Sequence, residues 1–398
     1  MSYDVAAVRA NFPALEEGAA HFDGPGGSQT PAPVAEAVAS TLRAAIANRG
    51  TVSAAERRAD GIVTAARDAA ADLLGLSGSG IVFGRSMTQL TYDMSRAMAK
   101  DWRPGDEIVV THLDHDANIR PWVQAAEAAG ATVRWAEFDP ATGELGVHDV
   151  TRLLSERTRL VAVTGASNLL GSRPDTPAIA ERVHAAGALL YVDGVHLTPH
   201  TPVDVGALGA DFYACSPYKF LGPHLGVLAA DPQLLETLHP DKLLSSTNAV
   251  PERFELGTLP YELLAGTTAA VNFLSELAPG SGSRRDRLVT SMRALEKHEN
   301  TLHGRMEAGL AEIPGVASHG SPDRHRTPTS LFSVRDLAPA LAYQRLAERG
   351  VNAPAGTFYA IECSRWLGLG DSGAIRAGIA PYTNESDVDR LLEAVAAA

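Results

Sequence analysis

From about residue 60 to residue 230, short apolar runs alternate with stretches that mix apolar and polar residues. The stretch "GIVTAARDAAADLLG" (61–75) predicts a helix closed by Gly75. "GIVFG" (80–84) predicts a strand, and "QLTYDMSRAMAK" (89–100) the helix after it. Three more strands are predicted at "EIVV" (107–110), "TVRWAEF" (132–138) and "RLVAVTG" (159–165). Between the first two lies the helix "RPWVQAAEAAG" (120–130), with Gly130 as its stop. "DTPAIAERVHAAG" (175–187) is the best-punctuated helix: Asp175 or Thr176 caps it, Pro177 sits in its first turn and Gly187 follows its end. "ALLYVD" (188–193) and "DFYACS" (211–216) predict strands, and "LGVLAA" (225–230) one that turns back. Such alternation predicts an α/β fold with a largely parallel sheet, covered on both faces.

The pattern changes at "ELAPGSGSRRDR" (276–287), where the Pro-Gly-Ser stretch 279–283 predicts a joint. A long helical run follows, to about Ile313. Beyond it come the strand "SLFSV" (330–334), the helix "PALAYQRLAERG" (339–350), the strand "AIRAGIA" (374–380) and the closing helix "ESDVDRLLEAVAA" (385–397). The expectation is a large domain over 17–278 and a smaller α+β domain over 279–398, the latter joined by the N-terminal segment 1–16. A chain of 398 residues suits two lobes of unequal size.

Composition, at 45% hydrophobic and 20% charged residues, is that of an ordinary globular protein. The formal charge of 34 − 47 = −13 speaks against a general nucleic-acid or anionic-membrane surface. Two cysteines, Cys215 and Cys363, are too few for a disulfide framework or a cysteine-rich zinc site, which fits a reducing cytoplasm. The N-terminal stretch lacks a basic region followed by an apolar run, so no signal peptide is expected. No apolar stretch is long enough to span a membrane.

In open α/β sheets ligands sit beyond the carboxyl ends of the strands. There the chain places Ser86, Met87 and Thr88 at a helix start, a setting suited to phosphate. His115 follows "EIVV", Asn168 follows "RLVAVTG", Asp193 ends "ALLYVD" with His196 three residues on, and Ser216, Tyr218 and Lys219 follow "DFYACS". Pyridoxal phosphate needs such a set. A lysine amine forms the Schiff base and moves protons. A carboxylate beside the ring nitrogen keeps it protonated, so the ring accepts electrons. An imidazole can stack on the ring and an amide can hold its hydroxyl. His112, Asp114 and His115 lack the i, i+4 helical spacing of a zinc motif, and no metal is expected.

Along nearly its whole length the chain resembles the class V aminotransferase group of fold-type-I enzymes, most closely the cysteine desulfurase-like proteins. The likeness lies in "HFDGPGGSQTP", "GRSMTQ", "LDHDANIRPW", "SNLLG", "VDGVH", "PVDVGALGADFYACSPYKFLGPHLGVL", "RFELGT" and "IRAGIAPYTNESDVDRL". It implies a seven-stranded, mostly parallel sheet in the large domain. It implies Lys219 as the Schiff-base lysine, Asp193 as the ring-nitrogen partner and His115 as the stacking ring. Asn168 and His196 would lie near the ring hydroxyl, and Thr88, Ser216 and Tyr218 would hold phosphate. Thr258 would reach the phosphate of a neighbouring subunit, implying a homodimer with shared sites. Arg376 would clamp a substrate carboxylate in bidentate fashion.

The departures are as informative. Desulfurases carry a nucleophilic cysteine on a loop shortly before that arginine. The matching stretch here is "APAGTFYAIECSRWLGL" (353–369), with Tyr359 where the cysteine would fall and Cys363 four residues beyond. His196 stands where Gln is common and Tyr218 where His is common, as in kynureninase-like relatives; a histidine at the first position is also found in isopenicillin N epimerase-like ones. The expected activity is side-chain bond cleavage of an α-amino acid. Aminotransfer, epimerisation and an inactive cofactor-binding partner are the alternatives. A nicotinamide dehydrogenase lacks support, since no G-x-G-x-x-G follows the first strand. Arg120, His224, Phe358 and Tyr359 flank the matched motifs and are candidate specificity positions.

Overall fold

The computed structural model describes residues 3–320 and 326–398; of the N-terminal segment 1–16, Met1 and Ser2 lie outside the described residues. Seven strands form the central sheet: β1 (Ile81–Gly84), β2 (Glu107–Thr111), β3 (Thr132–Ala136), β4 (Thr158–Thr164), β5 (Leu189–Asp193), β6 (Phe212–Cys215) and β7 (Gly226–Ala230). Their spatial order is β1-β7-β6-β5-β4-β2-β3. Strand β7 runs antiparallel to both neighbours, and every other pairing is parallel. This is the α/β architecture the alternation predicts, including the strand that turns back.

The strands are apolar on both faces because both faces are covered. Along β4, Val161 and Val163 enter one core while Leu160 and Ala162 enter the other. Side chains alternate across a strand, so an unbroken apolar run needs two buried faces. The first core includes Val63, Ala66 and Leu74 of helix Ala54–Leu74 and Leu264, Val271 and Leu274 of helix Tyr261–Ser275. The second includes Leu90 and Met94 of helix Met87–Ala99 and Trp122 of helix Arg120–Ala129.

The helix ends follow local chemistry. Ser53 and Glu56 form a capping box at the start of helix Ala54–Leu74, and Gly75 ends it in the left-handed conformation at φ 75°. Asp175 caps helix Thr176–Ala185 by accepting a hydrogen bond from the Ala178 amide at 3.2 Å. The long helix Arg284–Glu312 begins with a second capping box, Ser283 with Asp286.

A four-stranded antiparallel sheet contains β8 (Val316–His319), β9 (Thr329–Val334), β10 (Ala355–Gly356) and β11 (Ala374–Gly378), in the order β10-β11-β9-β8. Ala20–His21 pairs in parallel with Val351–Asn352, tying the start of the chain to this region. Among the described residues no helix is long and apolar enough to cross a membrane.

Candidate active site

The carboxyl ends of β4, β5 and β6 lie side by side, because Thr164 pairs with Asp193 and Asp193 with Ala214. Chain that leaves these ends supplies most of one wall of a cavity of about 200 Å³. Asp193 is the last residue of β5. Ser216 follows β6, and the single-turn helix Pro217–Lys219 carries Tyr218 and Lys219. Arg376, in the middle of β11, also lines the cavity.

The cavity is lined by Met87, Thr88, His115, Asn168, Asp193, His196, Ser216, Tyr218, Lys219, Tyr359 and Arg376. Two of the sequence-predicted residues do not line it. The Ser86 hydroxyl accepts a hydrogen bond from the Gln89 amide at 3.1 Å, so it is engaged as a helix cap. Thr258 is exposed in the loop before helix Tyr261–Ser275. Of the flanking positions, Phe358 lines the cavity. Arg120 is paired with Asp116 at 2.8 Å and with Glu362. His224 stacks on Tyr218 with ring centroids 4.7 Å apart.

Burial sets the electrostatics. The Lys219 amine donates a hydrogen bond to the Pro25 carbonyl. Burial, with the Arg376 charge added, pulls its pKa down to about 7, against the opposing pull of Asp193. The Asp193 carboxyl is pushed up to about 6 by burial, although it accepts the Val195 amide at 2.9 Å and feels the Lys219 charge. His115 is brought down to about 3 by burial and by Lys219 and Arg376, so its ring is neutral. Its Nδ1 accepts the Ala117 amide at 3.0 Å, which leaves the proton on Nε2. Burial also keeps His196 neutral, and its Nε2 meets the Thr329 hydroxyl at 3.0 Å. Arg376 is 2% exposed and falls to about 9 through burial.

Two groups in this cavity have unmet hydrogen-bonding capacity. Asn168 Oδ1 and Arg376 Nε are buried without a partner. Such atoms are costly unless something satisfies them. Helix Met87–Ala99 presents its N-terminus at the same wall, where the peptide dipoles favour an anion. That approach depends on Gly226, since a Cβ there would stand 2.3 Å from the Ser86 carbonyl carbon. An amine, a buried carboxylate, a neutral ring, a free amide oxygen and an anion-favouring helix end together fit pyridoxal phosphate.

Some lining residues carry no chemical mark in the sequence. Pro25 supplies only a carbonyl, and Gly26 only room: a Cβ on it would stand 3.4 Å from Arg376 Nη2. Their signal is the glycine-rich turn inside "HFDGPGGSQTP". Cys363 is fully buried, and burial drives its thiol pKa far up.

The family model for class-V aminotransferases matches residues 20–391. An uncharacterized protein of Mycobacterium tuberculosis is 35% identical over 402 residues, covering 100% of this chain and 99% of that one. A probable cysteine desulfurase of Staphylococcus epidermidis is 30% identical, covering 99% of this chain and 96% of its own. The crystal structure of the cysteine desulfurase CsdA from Escherichia coli superposes with a TM-score of 0.87 at 29% identity, over 99% of this chain and 98% of that one.

Proposed function

This chain belongs to the class-V aminotransferase family and is a pyridoxal-phosphate enzyme acting on amino acids; we propose that it is a desulfurase-like lyase that breaks a side-chain bond of an α-amino acid without a protein-bound sulfur carrier. The observation that carries this reading is the likeness to desulfurases over nearly the whole chain, with 30% identity to a probable cysteine desulfurase. The Lys219 amine, with its pKa near 7 in a cavity that also holds Asp193 and Arg376, supplies the base. At neutral pH a large share of that amine is unprotonated, as a base must be.

The cofactor, when bound, supplies an electron sink for the charge left on the substrate's α-carbon. Lys219 would hold it through the amine and serve as the base that takes the α-proton. Asp193, with its pKa near 6, is mostly ionised at neutral pH and would keep the ring nitrogen protonated. His115, neutral, offers an uncharged flat surface to the ring. Thr88, Ser216, Tyr218 and the helix end at Ser86 and Met87 would take the phosphate, and Asn168 and His196 the ring hydroxyl. Arg376 would bind the α-carboxylate, which orients the α-proton towards Lys219. Tyr359 lines the cavity and is 77% exposed; the resemblance implies that a desulfurase would carry its nucleophile at this position. Cys363 lies buried beyond it, so a thiol relay has no residue to use.

The proposed working form is a cytoplasmic homodimer in which Thr258 reaches the neighbouring subunit's phosphate. Residues 17–278 would carry the cofactor and 279–398 the carboxylate clamp. An amino-acid panel assayed for sulfide, alanine, keto acid and inverted stereochemistry tests the reaction. Side-chain release supports the lyase. Keto acid with cofactor-borne nitrogen, or inversion alone, would replace it with aminotransfer or epimerisation.

A further inference from the structure

The Arg376 guanidinium is buried; Asp23 is close enough for its charge to act on it, but among the described residues no carboxylate hydrogen-bonds to it. Its Nη1 donates to the Asn168 carbonyl at 2.9 Å, and its Nε has no partner. A buried cation held by one hydrogen bond needs something else to fix its plane. The ring of Phe358 supplies it: Arg376 Cζ stands 3.7 Å from the ring centroid, close enough for face-to-face stacking.

The backbone that presents this ring is unusual. Phe358 and Tyr359 are consecutive non-glycine residues at φ 51° and 60°. Side chains rarely adopt that conformation, and its strain persists only where surroundings enforce it. Here two hydrogen bonds from loops at the edge of the seven-stranded sheet do so. Asn168 Nδ2 donates to the Phe358 carbonyl at 3.0 Å. The Asp116 amide donates to the Tyr359 carbonyl at 2.7 Å. Asn168 thus grips both partners, Phe358 through its side chain and Arg376 through its own carbonyl.

We propose that Phe358 is a positioning residue for substrate recognition: its ring, locked in a left-handed backbone by Asn168 and Asp116, sets the guanidinium plane of Arg376 and hence how an α-carboxylate is held. This rests on the reading of Arg376 as the carboxylate clamp of a pyridoxal-phosphate site. Loss of the ring leaves the cation in place but free to tilt. The effect falls on carboxylate-bearing ligands and spares amines without one.

Two oxyamines isolate that effect in the holoenzyme. Aminooxyacetate carries a carboxylate; methoxyamine does not. Each displaces the Lys219 amine through its own nitrogen, and the change in cofactor absorbance gives the rate. Wild type is expected to prefer aminooxyacetate. Phe358→Leu and Phe358→Gly should lose about tenfold of that preference, with the methoxyamine rate unchanged. Glycine accepts positive φ, so Phe358→Gly keeps the backbone without the ring. Phe358→Tyr keeps the ring and should keep the preference. If wild type discriminates and the Leu and Gly variants discriminate equally well, the role of Phe358 is overturned while the site reading stands. A wild type inert to both probes overturns the site reading, and this inference with it.

Discussion

Lys219 is expected to weaken the fold that contains it. Its pKa falls from 10.5 to about 7, chiefly through burial. Between those values the unfolded chain keeps a proton that the folded chain has shed, so wild-type stability rises with pH across that window. Below about pH 7 the whole cost is present. At ~1.4 kcal/mol for each pH unit, the fall sets a ceiling of roughly 5 kcal/mol. The cavity admits water, and Asp193 loses a neighbouring cation when the lysine is removed, so the expected net effect is about 2–3 kcal/mol. Lys219→Met, stripped of cofactor, should therefore be more stable than equally stripped wild type by about 2–3 kcal/mol at about pH 6. The advantage should shrink to about 1 kcal/mol at about pH 9. Urea unfolding at the two pH values measures it, and the cofactor must be absent because its binding would add to the wild type alone. An advantage that is missing, or the same at both pH values, would refute the assignment of Lys219 as a buried, depressed amine.

Arg376→Lys replaces a planar fork with a point charge. It should raise KM for an amino acid by about 10- to 100-fold while the bound-cofactor absorbance stays unchanged. Gly226→Ala forces a Cβ to within 2.6 Å of the Met87 amide nitrogen. A thermal melt should show a loss of about 1–3 kcal/mol, and dialysis should strip the cofactor faster. Cys363→Ser should leave activity per folded molecule within about twofold, yet cost about 1–3 kcal/mol because a hydroxyl is buried at a fully enclosed position. Sulfide release that vanished in this variant would restore a sulfur-carrier role.

Much of the large sheet is legible in the sequence because its strands are buried on both faces. "RLVAVTG" reads as a strand from its apolar run alone, and Thr158–Thr164 is that strand. Glycine stops at 75 and 130 mark helix ends that adopt positive φ. Helices Ala32–Arg43 and Tyr261–Ser275 are not called from the sequence, although the second contributes Leu264, Val271 and Leu274 to the core. The two-residue strands Ala20–His21 and Val351–Asn352 carry no period at all. They exist because residues far apart in sequence meet. Among site residues, those with distinctive chemistry at strand ends, such as Asp193 and Lys219, are readable. Pro25 is not, since its contribution is a backbone carbonyl. Nor is the left-handed backbone at Phe358 and Tyr359, which neither residue type favours and which partners from distant loops impose.

The central claim is that one buried amine carries the cofactor, and borohydride reduction of the holoprotein followed by peptide mapping tests it most directly. A single pyridoxyl group is expected, on the peptide that contains Lys219 and on its side-chain nitrogen. A label on Lys242, Lys297 or Lys100 instead, or a protein that reconstitutes fully with pyridoxal phosphate yet takes no label at Lys219, would contradict it.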